Sequence, residues 1–520
     1  MASQTHHDQL HFVLFPFMAQ GHMNPKMDIA KILVDHNVIV TVITTPRNAA
    51  CFTPIFARYI ESGFQIKFVE LQFPSEEAGL PDGCENLDML PSLDTALNIF
   101  IAASLLRQPV EKLFEELTPP PSCIISDMCM PYTAEISKKF DIPRISFVGV
   151  SCFDLLCYSY LGIYNVMESI TNEWEYFVLP GIPDKIEMTM AQTGAIPQDE
   201  SWKQFRAKMQ AAEKDSYGMI MNSFEELEPA YARDYKKLRK DKLWCIGPLS
   251  LSNKDHFEKA QRGYNKASIH EWQHQKWLDS QKPESVIYAC FGSLCNLTPA
   301  QLIELGLALE ASKRPFIWVI RESDQLEALE KLIKEDGFEE RTNGVGLIIR
   351  GWAPQLLILS HPAIGGFITH CGWNSTLEAI CAGVPMITWP LFGDQFLNQN
   401  LVVHVLKVGV KVGVESPVKW GKEEEIGVLV KKEDVERAIK MLMDENCESK
   451  ERRERVRQLA KMAKKAVEKG GSSHSNVNML IQDIMQKTRE RYESIRQCLG
   501  NQSKQPGIIV ARPGIPNLNK

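Results

Sequence analysis

The densest group of chemically capable side chains lies between Trp352 and Gln395, in WAPQLLILSHPAIGGFITHCGWNSTLEAICAGVPMITWPLFGDQ. His370, Trp373, Asn374, Ser375 and Glu378 crowd together there, and the acid–amide pair Asp394–Gln395 closes the stretch. AIGGFITH reads as a buried parallel strand, CGWNSTLEAICAG as a helix and VPMITWP as the next strand. Asn374 and Ser375 are expected to cap the helix, with Glu378 three residues beyond Ser375 and Gly383 at the end. A strand, a tight turn and a helix N-terminus make an anion site, because free backbone N–H groups and the helix dipole face the ligand. His370, Asn374 and Ser375 add donors at that point, so the expected ligand is a phosphate or diphosphate. Trp352 offers a flat face to a base or a sugar, and Glu378 can accept from a ribose diol. The other reading is an ordinary βαβ unit with His370 as a satisfied core histidine.

A second set lies far upstream. His22 sits on AQGHMNP, a glycine-containing turn after the apolar run HFVLFPF, with Pro25 placed where a helix would begin. A histidine at the carboxyl end of a parallel strand is a candidate general base, since its pKa suits proton abstraction from a hydroxyl. Asp127 closes another short apolar run, CIIS. It can accept the second ring N–H of His22, fix the tautomer and stabilise the imidazolium. Taken singly, His22 is also readable as a polar loop residue and Asp127 as an N-cap for the next helix.

Both sets need rigid elements behind them. HFVLFPF and VIVTVITTP flank an amphipathic helix, which is a βαβ opening and implies a parallel sheet in the first half. SVIYACFGSL opens a second such half, in which a Gly-Ser turn makes Ser293 a further diphosphate donor. RPFIWVIR and GLIIRGWAPQ are its next strands. Between the halves, Ser250 to Ser280 shifts to Lys, Asp, Gln, Asn and His and reads as a linker with a short helix around Trp272–Leu278. A chain of 520 residues calls for two or more domains.

Composition excludes several classes. A net charge of −7 with no basic stripe gives no field for nucleic acid. The 13 cysteines are odd in number, scattered, and without a CxxC pair, which suits reduced thiols in the cytosol. No run approaches the ~20 apolar residues of a membrane span, and no signal-peptide core precedes Gly21. The G-x-G-x-x-G pattern of a nicotinamide dehydrogenase is missing, since GVGLIIRG at 344–351 has the wrong spacing. No Asp-x-Asp pair stands ready to hold a divalent metal against a diphosphate.

The stretch Trp352–Gln395 resembles the plant secondary product glycosyltransferase box, the nucleotide-sugar signature of plant family-1 UDP-glycosyltransferases. That resemblance implies the GT-B fold, α/β with two Rossmann-like domains facing across a cleft. It implies a UDP-sugar as co-substrate rather than a cofactor, and no metal. It places uracil on Trp352, with Ala353 and Gln355 at the base edge, and the ribose on Glu378. His370, Asn374 and Ser375 take the diphosphate, and Trp373, Asp394 and Gln395 the sugar hydroxyls. Glutamine at 395 goes with UDP-glucose. His22 and Asp127 match the catalytic base and its partner.

The implied organisation is an acceptor-binding domain at 1–249, a linker at 250–280 and a UDP-sugar domain at 281–470. A helix at 471–486 then packs back on the first domain, and a disordered tail follows at 487–520. The implied protein is a cytoplasmic monomer whose partners are a UDP-sugar and a small hydrophobic acceptor. FPFMAQGHMNP, TTPRNAA and AGLPDGCEN resemble the branch acting on flavonoids, triterpenoid sapogenins and steroid-like hormones. The expected reaction is inverting transfer of glucose to an acceptor hydroxyl. Another sugar (glucuronate, galactose, rhamnose or xylose), a preformed glycoside as acceptor, or an inert nucleotide-sugar-binding protein are the alternatives.

Overall fold

The computed structural model describes residues 9–194, 199–263, 271–321 and 327–502. Two parallel sheets carry the chain. The first is assembled from β1 (His11–Phe15), β2 (Ile39–Thr44), β3 (Ile66–Glu70), β4 (Cys123–Asp127) and β5 (Arg144–Val148). An antiparallel ribbon, β6 (Tyr176–Val178) with β7 (Glu187–Thr189), interrupts it before β8 (Gly218–Met221) and β9 (Leu243–Cys245) complete it. Its order is β3-β2-β1-β4-β5-β8-β9. The second sheet has β10 (Val286–Cys290), β11 (Phe316–Ile320), β12 (Gly346–Arg350), β13 (Ile364–Thr369), β14 (Met386–Thr388) and β15 (Gly409–Lys411). Its order is β12-β11-β10-β13-β14-β15. This is the α/β fold with two Rossmann-like halves that the sequence implies. The inner strands β1, β4, β5, β8, β11, β13 and β14 are buried throughout. Helices on both faces of a parallel sheet demand that.

In each sheet the chain order reverses beside a central strand, between β1 and β4 and between β10 and β13. Such switch points open a crevice at the carboxyl ends of the strands. His22 and Asp127 follow β1 and close β4, and Ser293 and His370 follow β10 and β13. Both chemically capable sets therefore sit at switch points.

Three expectations change. The helix after β1 spans Gln20–Asp35, so His22 is in its first turn and Pro25 lies inside it rather than at its start. Asp127 caps no helix, because the next one, Thr133–Phe140, has Tyr132 as its N-cap. The last helix runs Ser472–Gln502, so the tail expected to be disordered from 487 is helical to Gln502; residues 503–520 lie outside the described residues, as do 264–270 of the expected linker. The last helix returns to the first sheet. Asn476 donates to the Cys245 carbonyl at 3.1 Å and Lys242 pairs with Asp483 at 2.7 Å. Among the described residues no helix is long and apolar enough to cross a membrane.

Candidate active site

β1 and β4 are hydrogen-bonded neighbours, which sets their carboxyl ends side by side. His22 Nδ1 lies 2.9 Å from Asp127 Oδ2, and the other carboxylate oxygen accepts the Cys129 N–H at 3.0 Å. Asp127 is fully buried, while the His22 side chain is 30% exposed toward the cleft. Burial opposes ionisation of Asp127. The charges of His22 and Lys26 and the hydrogen bonds to His22 and Cys129 outweigh it and hold the carboxyl well below the usual range. An ionised Asp127 accepts a hydrogen bond from Nδ1–H, which leaves the Nε2 lone pair free to accept a proton. Phe17 meets the imidazole edge-on at 5.4 Å and stacks on Phe100 at 4.5 Å, so an apolar wall flanks the base. His22, Asp127 and Cys129 offer atoms within 4.8 Å of one another, a spacing that would suit a metal ion. The ammonium of Lys26 on Asp127, and burial that pushes the Cys129 thiol well up, make that donor set a poor one for a cation.

The second half of the site is the helix Trp373–Ala382 after β13. Its N-cap is Gly372, with no capping side chain, so Asn374 and Ser375 fall in the first turn and cap nothing. The first-turn N–H groups lack intrahelical acceptors and face the turn. His370 packs against two glycines. A Cβ at Gly292 would come within 2.7 Å of its ring, and one at Gly372 within 2.4 Å. Gly292 also takes φ +72°, a left-handed conformation. Among the described residues the buried His370 Nδ1 has no hydrogen-bond partner, and burial pulls the pKa of the ring down to about 4. His370 is therefore a neutral N–H donor at physiological pH. Ser293 follows Gly292 on the same turn.

Gln355 begins the helix Gln355–Leu359 and donates to Ser375 Oγ at 3.0 Å and Glu378 Oε2 at 2.9 Å. Half-buried Trp352 and buried Ala353 precede it. Glu378 is also paired with Arg262, whose Nε reaches Asp28 at 2.9 Å. Arg262 thus ties Asp28 of the first helix to Glu378 of the second half. Nothing in its local sequence marked it.

Asp394 stands at the N-cap of the helix Gln395–Asn400 and accepts from Asn398 at 2.7 Å. Burial raises its pKa to about 6, against the hydrogen bond of Asn398 and the charge of His22. Trp373 and Gln395, expected at the sugar hydroxyls, are buried and their side chains are hydrogen-bonded within the protein. The Trp373 indole is buried and donates to the Asn222 carbonyl at 2.7 Å. The Gln395 carbonyl accepts from Leu391 N at 2.7 Å and Phe392 N at 3.1 Å. The first bond joins the two halves of the chain and the other two close the loop before the helix.

The two halves meet at Asn374. Pro25 has no N–H, so the Gly21 carbonyl lacks its intrahelical donor. The Asn374 amide supplies one across the cleft at 2.7 Å, while its oxygen accepts from Asn222 at 3.1 Å. Gly21 is the residue before His22. The arrangement brings the His22–Asp127 pair, the N-terminus of the helix Trp373–Ala382 and Asp394 to one interdomain cleft, a grouping chemically able to accept a proton and to hold an anion.

The chain is similar to known proteins. A family described as UDP-glucoronosyl and UDP-glucosyl transferase matches residues 263–464, and a glycosyltransferase N-terminal domain matches residues 8–251. UDP-glycosyltransferase 73C6 of Arabidopsis thaliana is 53% identical over 481 residues, 92% of this chain and 97% of its own length. UDP-glycosyltransferase 73C11 of Barbarea vulgaris is 53% identical over 490 residues, 94% of this chain and 99% of its own. Among solved structures, Glycyrrhiza uralensis UGT73P12 complexed with glycyrrhetinic acid 3-O-monoglucuronide superposes with a TM-score of 0.86 at 35% identity. The match covers 95% of this chain and 100% of that one. Arabidopsis thaliana UGT89C1 complexed with UDP-L-rhamnose gives 0.71 at 29% identity, over 92% and 99% of the two chains.

Proposed function

This chain belongs to the plant UDP-glycosyltransferase family, enzymes that transfer sugar from a UDP-sugar co-substrate to small molecules, and from that premise we propose inverting transfer of glucose from UDP-glucose to a hydroxyl of a plant specialised metabolite. The observation that carries the reading is the bond from Asn374 to Gly21, which holds the donor signature one residue from His22.

His22 is the catalytic residue. Its Nε2 takes the proton of the acceptor hydroxyl, and the oxygen attacks the anomeric carbon from the face opposite the diphosphate. The bond from that carbon to UDP breaks. Asp127 is a positioning residue that holds the Nδ1 proton and offsets the imidazolium charge. Ser293, His370, Asn374, Ser375 and the helix N-terminus take the charge that grows on UDP. Trp352, Ala353 and Gln355 hold uracil, and Glu378 the ribose. At the sugar hydroxyls we place Asp394 and the Trp373 and Gln395 positions. Donor binding exchanges existing contacts: Asn374 gives up Gly21, and the ribose joins Arg262 on Glu378.

Gln395 supports glucose as the sugar. The aromatic wall of Phe17 and Phe100 supports a flat or polycyclic acceptor such as a flavonoid, a sapogenin or a steroid-like molecule. One chain supplies both halves of the site, which supports a monomer. Twelve free cysteines among the described residues support the cytosol. A second reading, transfer onto a preformed glycoside, draws support from the monoglucuronide bound to UGT73P12. The test measures UDP release and product mass with several UDP-sugars against aglycones and their monoglycosides. The product's anomeric proton coupling reports inversion. UDP-glucose as best donor on an aglycone is the expected result. Binding of UDP-sugar without transfer to any acceptor would overturn the reading in favour of an inert binder.

A further inference from the structure

Lys26 stands four residues after His22 in the helix Gln20–Asp35, one turn along the same face. It is fully buried, and a lysine there needs a counter-charge. Its Nζ lies 3.5 Å from Asp127 Oδ2, the oxygen that His22 uses at 2.9 Å. On its other side the ammonium sits 4.2 Å from the centre of the Phe147 ring. Among the described residues Asp127 is the one carboxylate it touches. The remaining groups that face this point are the Cys129 thiol and the Arg144 guanidinium, whose own charge is met by Glu213 at 3.1 Å. From the second domain, Asp394 faces His22.

One carboxylate oxygen therefore serves two cations whenever His22 is protonated. We propose that Lys26 is a positioning residue that sets the basicity of His22 by sharing Asp127 with it. The proposal rests on the reading of His22 as the base. While Lys26 is charged, Asp127 is partly neutralised and the imidazolium of His22 is less stabilised. When Lys26 releases its proton, Asp127 serves His22 alone and the imidazole becomes a stronger base. Burial brings Lys26 down to about 8, against the pull of Asp127, so that release falls within reach of the assay. The sign follows: His22 gains proton affinity as pH rises past that point. A methionine fits the same apolar wall without the charge.

The test follows His22 itself, in the full chain labelled with ¹³C at histidine Cε1, the signal being assigned by its loss in His22→Gln. Lys26→Met is expected to raise the His22 midpoint by about one unit, roughly tenfold in proton affinity. Lys26→Arg keeps a permanent charge and is expected to hold the wild-type midpoint. In the wild-type chain the His22 signal carries a second inflection near the Lys26 pKa, absent from both variants. The kcat/KM profile rises a second time there in the wild type and in neither variant. An unshifted His22 midpoint in Lys26→Met, or a single inflection in the wild type, overturns the proposal. Because the titration needs no acceptor, a chain that transfers no sugar still answers the question.

Discussion

Replacing Asp127 with asparagine tests the dyad at its centre. The side chain keeps its shape, and its remaining oxygen can go on accepting the Cys129 N–H, now at 3.0 Å. The new amide nitrogen then faces His22 Nδ1. It cannot accept a proton, so Nδ1 keeps its lone pair and the ring proton moves to Nε2, the nitrogen that must be free. The imidazolium also loses its counter-charge. At 2.9 Å and an effective dielectric constant of ~20, that attraction is about 6 kcal/mol at most. Lys26 shares the carboxylate, which reduces the loss. We expect kcat to fall by ~10³–10⁴-fold, corresponding to ~4–5.5 kcal/mol. UDP affinity, measured by calorimetry, should stay within about twofold, since among the described residues Asp127 is bonded to His22, Lys26 and Cys129 and to none of the residues proposed for the diphosphate. The variant leaves Lys26 buried without a partner, which costs roughly 3–5 kcal/mol of stability. The double variant Asp127→Asn/Lys26→Met should therefore recover the Tm and not the kcat. A single variant that retains more than a tenth of the wild-type kcat would refute the argument.

Arg262→Ala leaves Asp28 and Glu378 buried without their common partner. A loss of roughly 3–5 kcal/mol in stability is expected, visible as a Tm lower by several degrees; an unchanged Tm would contradict a stabilising tie between Asp28 and Glu378. Asp154, in the helix Cys152–Ile163, is buried, and among the described residues neither carboxylate oxygen has a hydrogen-bond partner within ordinary geometry. Burial, then the charges of Asp394 and Glu228, raise its pKa well above the ordinary value. Its folded state holds the proton longer than the unfolded chain, so stability falls as pH rises above the ordinary carboxyl pKa. The Tm of Asp154→Asn relative to wild type should climb between pH 4 and pH 7.5, and a constant difference would contradict the buried-acid argument.

The grouping proposed for the donor was legible in the sequence because it is local. His370, Asn374, Ser375 and Glu378 belong to one strand, one turn and one helix, and periodicity places them together without knowledge of the rest. His22 and Asp127 were legible as residues at strand ends. Their pairing depended on β1 and β4 being neighbours, which spacing alone does not state. Lys26 had a local signal, a spacing of four from His22, but it speaks only once His22 is known to lie in a helix. The turn expected at AQGHMNP hid that, because Pro25 reads as a helix start and not as an interior residue.

The sequence by itself determined the parallel α/β halves, the strand–turn–helix unit around His370 and the candidate groups for moving a proton or holding a diphosphate. Only the tertiary structure decided which of them are free to do so. Gln395 and Trp373 turn into the protein, Arg262 enters from the linker to Glu378, and Asn374 finds the carbonyl that Pro25 left open. These outcomes depend on partners separated by up to 353 residues. A buried polar group must take whichever partner the closed fold brings within reach, and no local pattern encodes that choice.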